Sequence, residues 1–326
     1  MNRILLIRGG AIGDLILTLP ALKLLRDAFP NARIEILGYK HIVALAEMAG
    51  YANGTRSIEC GALAGFFSRD GELAPELIEY FGSFQQVISY LFDPDEIFSA
   101  NLKRAGVRNL VTGSPKITDE EHAARQLARP LERLALYLED PAATLRLPQS
   151  EKLDRIAIHA GSGSETKNWP IERWIEVARK LIEPNDGSKL LLVGGEADLA
   201  QLVALRAALP NERLELAENL ALPELAARLQ RCRLFLGHDS GISHLAAAVG
   251  TSSLLLFGPT DPAVWAPANS QVRVFRAASL TMEGIEVAEV IAALKAFPSG
   301  PPRNGLCNSH VNQPISRVGR SRQAMS

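Results

Sequence analysis

Cysteine is nearly missing from this chain of 326 residues, and the three present are scattered. Cys60, Cys232 and Cys307 form no CxxC pair, which excludes a zinc knuckle and a redox dithiol. An odd count without secretory context reads as reduced thiols in a cytosolic compartment. Cys232, inside LQRCRLF, reads as a small core filler rather than a nucleophile. No stretch approaches the roughly 20 consecutive apolar residues of a membrane span. A signal peptide is not expected either, because Ile4-Leu5-Leu6-Ile7 runs straight into Arg8 and two glycines. The formal net charge is −1, so there is no bulk electrostatic case for nucleic acid. The expectation is a soluble chain, at most peripheral to a membrane through a local basic patch.

Three familiar signatures are also missing. The glycine loop near the start has the spacing G-G-x-x-G-D, not the G-x-G-x-x-G of dinucleotide folds, and no P-loop lysine follows it. No DxD motif suggests a metal, since Asp93-Pro-Asp95 fits a turn.

What is present is enough apolar material for two packed domains: 47% of residues are hydrophobic and 22% charged. Ile4–Ile7 is a short apolar run of the kind that forms a parallel strand buried on both faces. A glycine loop, Arg8–Gly13, separates it from a helical pattern over Asp14–Phe29. Pro20 should kink that helix or delay its start. Arg33–Leu37 reads as the next strand, giving the β-loop-α-β opening of doubly wound folds. Gln86–Tyr90 and Asn109–Thr112 read as strands, and 120–139 as a helical stretch broken at Pro130. The proline-rich, aperiodic segment 140–150 reads as a linker.

The pattern then restarts. Strands are expected at 155–159, 189–193, 234–237 and 252–257, and helices at 170–182, 222–229, 243–249 and 286–296. This gives an α/β chain with an N-terminal domain over 1–150 and a C-terminal one over 151–297. From Pro298 the hydrophobic period stops, and 298–326 reads as a disordered, solvated tail.

The candidate chemistry sits where strands run into helices. Asp14 stands at the mouth of the first helix. Its plainer role is a first-turn carboxylate favoured by the helix dipole. Its functional role would be a general base at a strand's carboxyl end, where open α/β sheets place ligands. In HAGSGSETKNWP, Ser162, Ser164 and Thr166 offer hydroxyls and Lys167 a point charge, a set that suits phosphate oxygens and equally suits an ordinary surface loop. In GHDSGISHLAAAVG, Asp239 and Ser240 precede a helix start. Gly241 permits close backbone approach, the free N–H groups form an anion nest, and His244 falls in the first turn. Capping residues and a core histidine are the alternatives there. Thr260, in FGPTDP, ends one more strand and can offer a hydroxyl to the same cleft.

Taken together, RGGAIGDLILTLPAL, HAGSGSETKNWP…RW and GHDSGISHLAAAVGTSSLLLFGPTDP resemble the three ordered motifs of glycosyltransferase family 9, the heptosyltransferase family of lipopolysaccharide synthesis. The likeness covers roughly residues 2–297. It implies a GT-B fold, two Rossmann-like domains whose parallel sheets face each other across a cleft. The N-terminal domain would take the acceptor and the C-terminal one the nucleotide sugar. It further implies an inverting transfer with no bound metal or other cofactor, in the cytoplasm or at the inner face of the inner membrane. The default donor is ADP-heptose, and the acceptor a glycolipid or oligosaccharide of the envelope. By the same resemblance Asp14 is the base and Lys167 the phosphate-binding cation. Thr166, Asp239, Ser240, Gly241 and His244 hold the donor, with Glu196 on the ribose and Leu220 near the adenine; Gly13, Ser164 and Thr260 join this donor set from their places in the same loops. The chain departs from the family pattern at Ser240, where threonine is usual, and at Ala278–Met282, where a cysteine-bearing segment is absent. A non-hydrolysing nucleotide-sugar epimerase shares the two-domain layout, and a non-catalytic nucleotide-sugar binder would carry the same loops.

Overall fold

Short apolar strands alternate with helices along the whole chain, and the computed structural model describes residues 2–183, 187–295 and 297. The first half runs β1 (Arg3–Arg8), α1 (Ile12–Ala28), β2 (Arg33–Gly38), α2 (Lys40–Met48), β3 (Gly54–Ser57), α3 (Pro75–Gly82), β4 (Gln86–Ser89), α4 (Ile97–Arg104), β5 (Leu110–Thr112) and α5 (Ala123–Ala128). The second runs β6 (Leu153–Ile158), α6 (Ile171–Ile182), β7 (Lys189–Gly194), α7 (Leu199–Ala208), β8 (Leu214–Glu218), α8 (Leu222–Gln230), β9 (Cys232–His238), α9 (Gly241–Ala248), β10 (Ser253–Phe257), α10 (Pro262–Trp265), β11 (Val272–Arg276) and α11 (Val287–Lys295). They build a five-stranded sheet, β3-β2-β1-β4-β5, and a six-stranded sheet, β11-β10-β9-β6-β7-β8. Every strand pairing among the described residues is parallel. In each sheet, therefore, all carboxyl ends open on one side. The expected 298–326 tail lies outside the described residues; among the described residues no helix is long and apolar enough to cross a membrane.

The structure corrects two expectations. α1 begins at Ile12 and passes through Pro20 without interruption. A proline inside a helix costs about 3 kcal/mol. Here every residue from Leu15 to Leu22 is buried, so packing on all sides of the helix outweighs that cost. The helical stretch expected over 120–139 is instead the six residues of α5 and a 3-10 turn, Arg129–Leu134. Pro130 heads that turn, and Ala135 leaves it with φ +58°.

α1 sits against both α5 and α9, and the largest apolar core is continuous from Ile4 and Leu6 in the first sheet to Phe235 and Leu255 in the second. The two halves are thus joined by apolar packing as well as by the chain. The aperiodic segment 140–150 has no helix or strand, yet it is stitched down. The Leu145 N–H donates to the Ala248 carbonyl (2.8 Å), Asn269 Nδ2 donates to the Ala143 carbonyl (2.9 Å), and Tyr51 and Thr144 hydroxyls meet at 2.7 Å.

Candidate active site

At the end of β1, Gly10 turns the chain with φ +97°, and a Cβ there would lie 2.4 Å from an Asp14 carboxylate oxygen. Only glycine allows both the backbone angle and that approach. Asp14 Oδ2 accepts the Ala11 N–H (2.7 Å), and Oδ1 pairs with Arg8 Nη2 (3.1 Å). Arg8 is buried, with Nε on Thr18 Oγ1 (3.1 Å) and its guanidinium 5.8 Å above the Tyr90 ring. Burial lowers the Arg8 pKa, and the charges of Asp14 and Tyr90 pull it back up. The Asp14 side chain is therefore fixed from behind while remaining 34% exposed. It caps the helix start and still keeps part of its carboxylate exposed.

The loops after β6 and β9 are tied to each other. Lys167 Nζ donates to Asp239 Oδ2 at 2.7 Å, with the lysine side chain 30% exposed and the aspartate nearly covered. Lys167 is thus one half of an ion pair rather than an isolated surface charge. The Ser164 and Thr166 hydroxyls meet at 2.9 Å on the exposed side of that loop. Behind it, His238 Nε2 accepts the Trp169 N–H (2.9 Å) and Trp174 Nε1–H (3.1 Å). Burial pushes the pKa of His238 down to about 3, so this ring stays neutral and acts as a fixed acceptor.

Ser240 caps α9, its hydroxyl oxygen accepting the Ser243 N–H at 3.3 Å. The next residue, Gly241, meets the start of α1: a Cβ on it would stand 2.9 Å from both the Gly13 nitrogen and Ile12 Cβ. Two helix N-termini from opposite halves therefore touch glycine to glycine. His244 is buried beside this seam, with Cδ2 3.8 Å from where a Cβ on Gly13 would lie. Burial keeps its pKa low; Asp239 and Asp14 raise it, while His122 and Lys167 lower it, which places the ring within electrostatic reach of both halves. Thr260 Oγ1 is buried without a hydrogen-bond partner, and Asp261 serves the turn by accepting the Ala263 N–H at 3.0 Å.

A cavity of about 770 Å³ opens between the halves. Ala11, Ile12, Gly13, His41 and Ile42 line it from the first half. From the second come the ends of β6, β7 and β8 and the start of α9. Of the residues expected at the site, Gly13, Glu196, Leu220, Ser240 and Gly241 line this cavity, whereas Asp14, Ser164, Thr166, Lys167, Asp239, His244 and Thr260 do not. A second cavity of about 460 Å³ lies at the ends of β4 and β5. Ser89, Phe92, Lys103 and Arg133 are among its walls. Phe92 is 64% exposed under the ammonium of Lys116. Asp93 is committed there to capping α4, accepting the Phe98 and Ser99 N–H groups at 3.1 and 2.8 Å.

Sequence reasoning missed Arg8, and it passed over His159 and Asp198 on the cavity floor. A charged residue ending an otherwise apolar strand was the available signal for Arg8. Asp198, beyond a glycine pair and two residues after Glu196, had none.

The model of glycosyltransferase family 9 (heptosyltransferase) matches residues 102–288. Lipopolysaccharide heptosyltransferase 3 of Escherichia coli is 22% identical, over 88% of this chain and 97% of that protein. Lipopolysaccharide heptosyltransferase 2 of Salmonella typhimurium is 30% identical over 47% of this chain, a match spanning only 46% of its own length. Among solved structures, a glycosyl transferase family 9 protein from Veillonella parvula superposes with a TM-score of 0.74 at 23% identity, covering 90% of this chain and 96% of that one. Escherichia coli ADP-heptose lipopolysaccharide heptosyltransferase II gives 0.72 at 18%, covering 91% and 98%. At such identities the superpositions speak for the fold alone.

Proposed function

The chain belongs to glycosyltransferase family 9, the heptosyltransferases, and from that membership we propose that it transfers a sugar from a nucleoside diphosphate to an envelope glycan. Its paired parallel sheets are the GT-B arrangement. ADP-heptose is the default donor, in line with the name of the Escherichia coli structure, and a lipopolysaccharide-type glycan the default acceptor, in line with the names of the relatives. The proposed location is the cytoplasm, at most touching the inner face of the inner membrane.

One observation carries the reading: the contact between Gly13 and Gly241 brings the Asp14 corner against the amide-rich start of α9, beside the 770 Å³ cavity. The nucleoside would lie toward Leu220 with its ribose on Glu196, and the diphosphate toward Ser240 and Gly241. Lys167, drawn to this corner by Asp239, would neutralise the leaving diphosphate as negative charge builds on it. Prearranged donors do this at little reorganisation cost. Asp14 would take the acceptor's proton as its hydroxyl attacks from the opposite face, in a single displacement that inverts configuration. The second cavity, one strand away from the Asp14 corner, is the proposed place for the acceptor.

The test combines a thermal-shift panel of ADP, GDP and UDP with transfer from ADP-heptose to a heptose-deficient lipopolysaccharide, with and without EDTA. Selective stabilisation by ADP and EDTA-resistant transfer are expected. Loss of transfer in EDTA would remove the metal-free part of the reading, and no response to any nucleotide would remove the donor assignment.

A further inference from the structure

β6 lies between β7 and β9, so the residue that follows its last position, Ile158, faces the loops of both neighbours. That residue is His159. Its Nε2 lies 2.8 Å from Asp198 Oδ2 on the β7 side, and its Nδ1 lies 3.4 Å from Ser240 Oγ on the β9 side. All three residues line the donor cavity. Burial pushes the Asp198 carboxyl pKa up, but the hydrogen bond and charge of His159, a backbone hydrogen bond from Gly195 and the nearby His238 bring it below the ordinary value. An ionised carboxylate only accepts, so Nε2 carries the hydrogen. Gly161 makes room for this pair, since a Cβ there would sit 2.4 Å from Asp198 Cβ and Cγ.

With the ring's one hydrogen on Nε2, Nδ1 presents a lone pair. The Ser240 oxygen already accepts the Ser243 N–H, and Ser243 Oγ sends its own hydrogen to the His238 carbonyl. The Ser240 hydrogen can go to Ser243 Oγ (3.1 Å), to His159 Nδ1, or to a ligand in the cavity. If Nδ1 gains a proton, it becomes a donor and no longer competes for that hydrogen. The order Ser-His-Asp invites comparison with a nucleophile triad, but Ser240 is the helix cap.

We propose that His159, held by Asp198, is a positioning residue that sets the direction of the Ser240 hydroxyl, so that binding of a nucleoside diphosphate takes up a proton at Nδ1 and turns that hydroxyl onto a phosphate oxygen. The proton comes from solvent, and no bond of the ligand is broken. The anionic ligand stabilises the imidazolium, and the imidazolium in turn frees a donor for the ligand. The other ionisable groups nearby are Glu196 after β7, His238 ending β9, the Lys167–Asp239 pair beside Ser240, and His41 on the opposite wall. This inference rests on the donor reading above.

The experiment is calorimetric titration of ADP into the full chain, in buffers of different ionisation enthalpy, between about pH 5 and 8, where histidine changes charge. Wild type should bind ADP with net proton uptake, and its affinity should fall as pH rises. His159→Asn should weaken binding roughly tenfold at the acid end, the scale of one hydrogen bond to a charged group, and should lose that part of the proton uptake. His159→Gln keeps reach toward Asp198 but not Ser240 and should behave alike. Losses from His159→Asn and Ser240→Ala should not multiply in the double variant, because both remove one interaction. Melting curves identify variants that fail to fold, and Ser240→Ala alone then decides through its reduced proton uptake. If wild type binds ADP and the variants bind equally well with the same proton count, the relay is refuted and the donor reading stands. If wild type binds no nucleoside diphosphate, both fall together.

Discussion

Gly241→Ala is the smallest change that should force the two halves apart. The added methyl would lie 2.9 Å from the Gly13 nitrogen and 2.9 Å from Ile12 Cβ, and 3.4 Å from Ile12 Cγ2. Real Cβ contacts rarely fall below 3.4 Å, so the seam must widen by roughly half an ångström. The nitrogen is backbone and cannot rotate away. Overpacking a tight interior costs about 1–3 kcal/mol. Alanine is otherwise better than glycine in a helix, so any loss is owed to the clash. At about 2–4 °C per kcal/mol for a unit of 150–250 residues, the melting temperature should drop by roughly 2–12 °C. Because Ala11–Gly13 and Ser240–Ile242 line the same cavity from opposite halves, ADP affinity should fall as well, by roughly tenfold if about 1.4 kcal/mol of the strain is felt in binding. Differential scanning calorimetry and ADP titration read the two effects. Gly61→Ala, whose methyl meets nothing within 4 Å, is the control and should be neutral. Unchanged melting and ADP affinity in Gly241→Ala would show that the two helix starts do not press on each other, and the proposed seam would be wrong.

Asp14→Asn should keep the Ala11 cap through its amide oxygen and retain donor binding, while turnover falls by roughly 10²–10⁴-fold, as for loss of a general base; unchanged turnover would dismiss Asp14 from the chemistry. Lys167→Ala strands the covered Asp239 carboxylate and should destabilise the fold by about 1–3 kcal/mol, and a second change, Asp239→Asn, should restore melting without restoring turnover. Recovered transfer in that double variant would show the lysine matters only for packing. His238 should make the protein acid-sensitive. Its folded pKa, about 3, lies below the ordinary 6.5, so the unfolded chain binds the extra proton and stability declines as pH falls from about 6.5 toward 3. Equilibrium unfolding of wild type and His238→Gln across that range should show a shallower decline in the variant.

The chain itself determined the alternation of strand and helix, because a strand buried on both faces of a parallel sheet must be apolar throughout, as Ile4–Ile7 and Leu254–Phe257 are. It also determined which residue types stand at each strand-to-helix corner, since a glycine, a cap and a small polar residue are required there locally. Tertiary structure alone decided which corner meets which. Lys167 finds Asp239, and His159 finds Asp198 on one side and Ser240 on the other, because β6 lies between β7 and β9. That order follows from how the crossover helices pack, and no local period encodes it. The same holds for α1, where burial on every side carries a helix past Pro20, and for Arg8, whose charge under Asp14 becomes intelligible only once the sheet, Tyr90 and Thr18 enclose it.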